Sequence, residues 1–143
     1  MQDQSPLLNV KVIGAESYAN VLPLLHEIRH ALARYHETGE ATTIDLRRLP
    51  MTEHDEQELE GFLGGGEVSI DIHALGPTQI RETQFSAVWH IVHHNADGEI
   101  AGKFVTVAAI PDLVMTPPED AARGLRALTQ QLDELAEEQG SHQ

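Results

Sequence analysis

The fold is decided by residues 87–110, which read AVWHIVHHNADGEIAGKFVTVAAI. Two runs rich in β-branched and aromatic residues flank Asp97-Gly98, a dipeptide typical of a tight β-turn. A two-residue loop at this position fixes the cross-strand pairs, which are Trp89 with Thr106, Ile91 with Phe104, and His90 with Val105. Because both faces of this hairpin carry apolar residues, we expect an interior hairpin, or one whose second face is covered by another layer or chain.

Helical and strand patterns surround the hairpin. Apolar residues recur at helical spacing over 20–36, with Asn20 as the expected N-cap, Pro23 in the first turn and Gly39 at the end. Thr52 and Asp55 form a capping box for a second helix, which Gly64 ends. A third helix follows Thr116, with an apolar stripe at Ala122, Leu125, Leu128, Leu132 and Leu135. Further strands are predicted over 7–13, 41–46, 68–72 and 80–85.

These elements predict an α+β fold, a two-layer sandwich in which helices pack on a mixed β-sheet. The mixed sheet follows from the strand, helix, strand order of residues 7–46, which favours a parallel crossover. We expect one domain over residues 1–143, with flexible ends at 1–6 and 138–143. The predicted core consists of Leu25, Ile28, Leu32, Ile44, Val68, Ile70, Ile72 and Leu128.

Composition excludes several classes of function. The 143 residues include 23 acids and nine bases, for a net charge of -14, so nucleic acids and anionic membranes would be repelled. The absence of cysteine excludes disulfides, thiolate zinc sites and iron–sulfur clusters held by this chain's own thiolates. The sequence shows neither a basic, apolar leader nor a membrane-spanning stretch, so we predict a cytoplasmic protein.

Three local motifs invite a chemical interpretation. His26-Glu27-Ile28-Arg29-His30 has the H-E-x-x-H spacing of zinc hydrolases, but both histidines lie off the apolar stripe of the helix and no third ligand is evident. In the cluster of His90, His93 and His94, strand alternation points His93 away from the other two. The run 64–66 follows a helix, the reverse of a phosphate-binding loop. We therefore predict no metal, no cofactor and no catalytic residues.

Several segments together resemble the C-terminal domain of HupH/HyaF-type hydrogenase expression proteins. They are Leu22-Pro23-Leu24-Leu25, His30-Ala31-Leu32, Ile44-Asp45-Leu46, Leu49-Pro50, Gly66-Glu67-Val68-Ser69, Ile80-Arg81-Glu82-Thr83, Phe85 and Val88-Trp89. The resemblance covers residues 20–115, and its most specific parts are Gly-Glu-Val and the stretch from Ile-x-Glu-Thr to Val-Trp. Ala87 stands where such sequences usually carry glycine, and the chain is shorter than the two-unit members.

The resemblance implies an accessory protein of NiFe hydrogenase maturation that behaves as a chaperone and not as an enzyme. Its expected partner is the hydrogenase small-subunit precursor or another maturation protein, and homodimerisation stays open. Motif positions matched to the family predict partner contacts for Glu67, Glu82, Thr83 and Trp89, each with fold support as the competing interpretation. Two other classes of function remain as alternatives, a zinc hydrolase built on residues 26–30 and a generic acidic dimerisation module.

Overall fold

A computed structural model describes residues 18–141, which divide into two compact units after Pro111. The first unit contains two helices, α1 and α2, and five strands. Their bounds are α1 Leu22–Thr38, β1 Thr42–Asp45, α2 Glu53–Leu63, β2 Ser69–Ala74, β3 Gly76–Glu82, β4 Val88–His94 and β5 Ile100–Val107. The second unit contains one long helix, α3, over Pro118–Ser141. Among the described residues, no helix is long and apolar enough to cross a membrane.

The five strands form one sheet in the order β1-β5-β4-β3-β2. The β4–β5 hairpin occupies the interior, and all three predicted pairs are present in the register. The connecting loop is longer than two residues, since β4 ends at His94 and β5 begins at Ile100. Within the loop, the side-chain Oδ1 of Asn95 accepts hydrogen bonds from the backbone N–H groups of Asp97 and Glu99. A register shift beside His94 absorbs the additional length.

The α+β class is confirmed, but the described strands pair antiparallel throughout and do not form a mixed sheet. Strands β2 to β5 follow one another through short connections, which allow only antiparallel neighbours. β1 joins this meander beside β5, again antiparallel. The predicted strand over residues 7–13, on which the parallel crossover depended, lies outside the described residues.

Helix ends follow the sequence closely except at Asn20. Thr52 and Asp55 form the predicted capping box of α2, and Gly39 closes α1 in the left-handed conformation, with φ of 77°. The N-cap of α1 is Val21, not Asn20. The Asn20 side chain instead donates to Oδ1 of Asp55 at 3.3 Å, so it ties the start of α1 to the cap of α2.

The hydrophobic core lies between the two helices and one face of the sheet. Val88, Val105 and Val107 meet Ile44 and the inward faces of both helices, which supply Val21, Leu24, Ile28, Ala31, Leu59 and Leu63. Leu25 and Leu32, both predicted for the core, pack against its margin and stay partly exposed. The prediction is confirmed for Ile28 and Ile44.

Two predicted core residues are exposed, Val68 by 41% and Leu128 by 58%. Val68 precedes β2, an edge strand with a neighbour on one side only, and Ile70 and Ile72 are accordingly half-buried. Leu128 belongs to α3, whose described residues are all exposed. Periodicity identified apolar faces correctly in both elements, but not what covers them.

Candidate partner-binding groove

An apolar groove of about 410 Å³ opens beside α1 in the first unit. It lies between α1, the C-terminal end of α2 and the connection from β3 to β4. Its lining is almost entirely apolar and consists of Tyr18, Leu22, Leu25, Ile28, Leu32, Phe62, Leu63, Phe85 and Val88, with His26 and Arg29 as the polar members. We call this feature the apolar groove.

The groove exists because the apolar stripe of α1 is wider than the core beneath it. Leu24 and Ile28 are buried against the sheet, whereas Leu22, Leu25 and Leu32 flank them on the next face of the helix. Leu22 remains 43% exposed. A large apolar surface that residues 18–111 leave uncovered, bordered by polar groups, is typical of an interaction site.

Aromatic rings build the opposite wall. The ring of Phe62 meets that of Tyr18 edge-to-face at 5.5 Å and stacks with that of Phe85 at 5.8 Å, measured between ring centroids. Phe62 is 37% exposed and Phe85 36%. Rings at these separations hold one another in place. The three rings therefore fix one another's positions, while Phe62 and Phe85 keep about a third of their surface exposed to a ligand.

Hydrogen bonds fasten the β3–β4 connection to the end of α2. The backbone N–H of Gln84 donates to the carbonyl of Leu63 at 2.8 Å, and its side-chain Nε2 donates to the carbonyl of Phe62 at 2.7 Å. The buried Thr83 hydroxyl donates to the Phe85 carbonyl and accepts from the Phe85 N–H, both at 3.1 Å. Thr83, a predicted contact residue, thus positions Phe85 at the groove.

Glu82, the second predicted contact residue, holds the loop after α2. Its Oε1 accepts from the backbone N–H of Glu67 at 3.1 Å and of Val68 at 3.3 Å. The Glu82 carboxylate and the Thr83 carbonyl pack closely against Gly66. A Cβ on Gly66 would lie 2.7 Å from Glu82 Oε1 and 2.5 Å from the Thr83 carbonyl oxygen. The side chain of Glu67 is exposed.

Trp89 pairs with Glu82 across β3 and β4 and lies on the sheet face opposite Val88. It is 4% exposed, and its indole N–H donates to the Ala108 carbonyl at 3.0 Å. The structure thus places Glu67, Glu82 and Trp89 near one another but away from the groove lining. Every hydrogen bond described for Glu82, Thr83 and Trp89 lies within the fold, and partner contact through these residues stays a prediction.

The histidines of the two motifs lie as predicted, His26 and His30 exposed on one helix and His93 on the sheet face opposite His90. His26 and His30 are exposed on α1, and His26 borders the apolar groove. His93 shares a hydrogen bond of 2.7 Å with the hydroxyl of Thr78, while burial lowers the pKa of His90 on the opposite face. Within residues 18–141, no three histidine, aspartate or glutamate side chains come together as a metal site.

Sequence reasoning missed the groove itself. Phe62 and Phe85 are 23 positions apart, and no local pattern indicates that their rings stack. One signal was present: Leu22, Leu25 and Leu32 add a second apolar row to α1, which is more than a single sheet face can bury.

Comparison with known proteins identifies relatives for most of the chain. The HupH hydrogenase expression protein C-terminal conserved region matches residues 18–135. The hydrogenase expression/formation protein HupQ of Azotobacter chroococcum is 34% identical over 69% of this chain and 34% of its own length. HupH of Rhizobium leguminosarum is 31% identical over 71% of this chain and 36% of its own. The chain thus spans about a third of the length of these relatives.

A solved structure agrees in both fold and sequence. The hydrogenase expression protein HupH from Thiobacillus denitrificans superimposes with a TM-score of 0.78 at 45% sequence identity. The match covers 80% of this chain and 96% of that protein's chain. Five of the groove residues belong to the segments that carried the resemblance: Leu22, Leu25, Leu32, Phe85 and Val88. This chain belongs to the family of the HupH hydrogenase expression protein C-terminal conserved region.

Proposed function

We propose that this chain is a non-enzymatic accessory protein of hydrogenase maturation that binds a hydrogenase subunit precursor in the apolar groove. Relatives named as hydrogenase expression/formation proteins support a role in hydrogenase maturation. The observation that carries the mode of action is the groove, an apolar surface with a stacked aromatic wall that residues 18–111 leave uncovered.

The groove has the chemistry of a binding site and not of a reaction site. Its polar members are the imidazole of His26 and the guanidinium of Arg29, which border an otherwise apolar surface. An apolar helix or extended segment can occupy such a surface, with leucine-like side chains toward Leu25 and Phe62. A carboxylate or carbonyl of the segment can accept from Arg29.

The net charge of this chain limits which surfaces a partner can present to it. The net charge of -14 repels acidic surfaces, so the residues around the bound segment should be neutral or basic. Within the proposal, the partner is the small-subunit precursor, which the chain meets in the cytoplasm before export. Glu67, beside the Glu82-bound loop, offers a further acidic contact outside the groove.

The test compares two purified hydrogenase subunits as ligands. The chain is titrated with the small-subunit precursor and separately with the large subunit, and binding is followed by calorimetry. Saturable binding of the precursor alone supports the proposal. Binding of the large subunit alone contradicts the choice of subunit. Binding of neither subunit rejects the proposal and leaves a self-associating acidic module as the better account.

A further inference from the structure

Strand β2 has a free edge within the part of the chain that the structure describes. β3 pairs with it on one side, and no described strand lies on the other. All of Ser69–Ala74 keeps one register with β3, without a bulge. The strand contains neither proline nor lysine, two residues that commonly protect an edge strand from pairing with another chain. The edge is therefore open to a further strand.

The register with β3 determines which backbone groups of β2 point outward. The N–H of Glu82 donates to the Val68 carbonyl at 2.9 Å. Residues an even number of positions from Val68 bond to β3 in the same way. Asp71 and His73, at odd separations, therefore direct their N–H and C=O groups away from β3. Pro77, which pairs with His73, fits this assignment because it has no N–H to donate.

The side chains of β2 are complementary to those of a second β2. We propose that β2 pairs antiparallel with β2 of a second copy of this chain, about a two-fold axis at Ile72. In this register Asp71 lies opposite His73 of the second copy, and its carboxylate can accept a hydrogen bond from that imidazole. The outward backbone groups of the same two positions bond to each other in both directions. The two Ile72 side chains meet on the other face of the joined sheet.

Other registers lack this complementarity. An axis at Asp71 sets two carboxylates directly opposite each other, which destabilises a strand pair. An axis at His73 takes each carboxylate away from its imidazole partner. An axis at Ile70 brings His73 opposite Glu67, whose backbone N–H already donates to Oε1 of Glu82 at 3.1 Å. An axis between two residues sets outward groups against groups that are bonded to β3. The strand thus favours a copy of itself in one register.

Exchanging the two polar residues tests the pairing. His73→Asp places carboxylates opposite each other, whereas the double variant Asp71→His, His73→Asp restores the carboxylate–imidazole pairs and the native net charge. Masses are measured by light scattering at moderate salt, which screens the repulsion between chains of net charge -14. We expect twice the 15.7 kDa chain mass for the native chain and the double variant, and the monomer mass for His73→Asp. A monomeric native chain, a dimeric His73→Asp or a monomeric double variant would overturn the proposal.

The chain's lack of cysteine permits a direct test of the register. In Ile72→Cys the two thiols face each other across the axis at a separation that a disulfide can bridge, so mild oxidation should give a covalent dimer. Ser69→Cys is the matched control. Its thiol lies three positions from the axis in each copy, so the two thiols are about 20 Å apart at about 3.4 Å per residue.

The yields of disulfide-linked dimer are compared by non-reducing electrophoresis of the full-length variants. We expect a dimer from Ile72→Cys and none from Ser69→Cys. Equal yields from the two variants, or no dimer from either, would refute the register. The lining of the apolar groove contains no residue of β2, so these outcomes are independent of precursor binding.

Discussion

Substitution of Trp89 by phenylalanine tests whether this side chain supports the fold. The indole N–H donates to the Ala108 carbonyl at 3.0 Å, and both residues are buried. Phenylalanine keeps an aromatic ring in the sheet but removes the donor, so the carbonyl of the buried Ala108 loses that partner.

The expected loss of stability follows from the Ala108 carbonyl, which is left without a hydrogen-bond donor. Leaving a buried acceptor unsatisfied costs about 1–3 kcal/mol, and the smaller ring adds to this. We expect the free energy of unfolding to fall by about 2 kcal/mol or more. For a unit of this size, such a loss lowers the melting temperature by about 8 °C.

The assay is urea unfolding followed by circular dichroism, because Trp89 is the only tryptophan and its fluorescence is lost in the variant. Ile91→Val is the matched control, since Ile91 lies on the same face, is 4% exposed and loses only one methylene. The control should cost about 0.5–1.5 kcal/mol. A Trp89→Phe variant as stable as the native chain would refute the structural role and favour partner contact.

Three further predictions concern the loop after α2, the N-terminal cap of α2 and the imidazole of His90. Gly66→Ala should destabilise the fold by about 1–3 kcal/mol, because the added Cβ would lie 2.5 Å from the Thr83 carbonyl oxygen. Gly65→Ala is the control and should leave the stability unchanged, since a Cβ there meets nothing within 4 Å. The midpoints of urea unfolding compare the stabilities of the two variants. Thr52→Ala should cost about 1 kcal/mol through loss of the α2 cap, measured in the same way. Burial lowers the pKa of His90 below 6.5, so the unfolded chain takes up the proton first as the pH falls. Stability should therefore decline as the pH drops through 6.5 and level off below the folded pKa, and His90→Gln should lose this decline in a series of melts.

Local patterns predicted the parts of the fold that local interactions determine. The turn signal at Asp97-Gly98 located the hairpin, and the predicted central pairs hold because the register shift beside His94 compensates for a loop longer than two residues. The capping box of Thr52 and Asp55 joins groups three residues apart, so its sequence signature was sufficient. The placement of His93 on the face opposite His90 followed from strand alternation alone.

Features that depend on distant parts of the chain could not be predicted in this way. Val68 was expected inside because alternation cannot distinguish an edge strand from a central one. The role of Glu82 depends on two N–H groups 14 and 15 positions away, and that of Trp89 on a carbonyl 19 positions away. The groove likewise arises where α1, α2 and the β3–β4 connection meet. The second row of leucines on α1 was the one sequence pattern that indicated the groove.

The central claim is that the apolar groove binds a hydrogenase subunit precursor, and the affinity of Leu22→Asp for the small-subunit precursor tests it most directly. Leu22 is 43% exposed in the first turn of α1, where an added carboxylate does not oppose the helix. Leu75→Asp introduces the same charge at a turn residue that is 95% exposed and outside the groove lining. We predict that Leu22→Asp weakens binding by about tenfold or more, as the loss of an apolar contact worth at least about 1.4 kcal/mol requires, while Leu75→Asp binds like the native chain. Equal affinities for the two variants, with both as stable as the native chain, would contradict the claim.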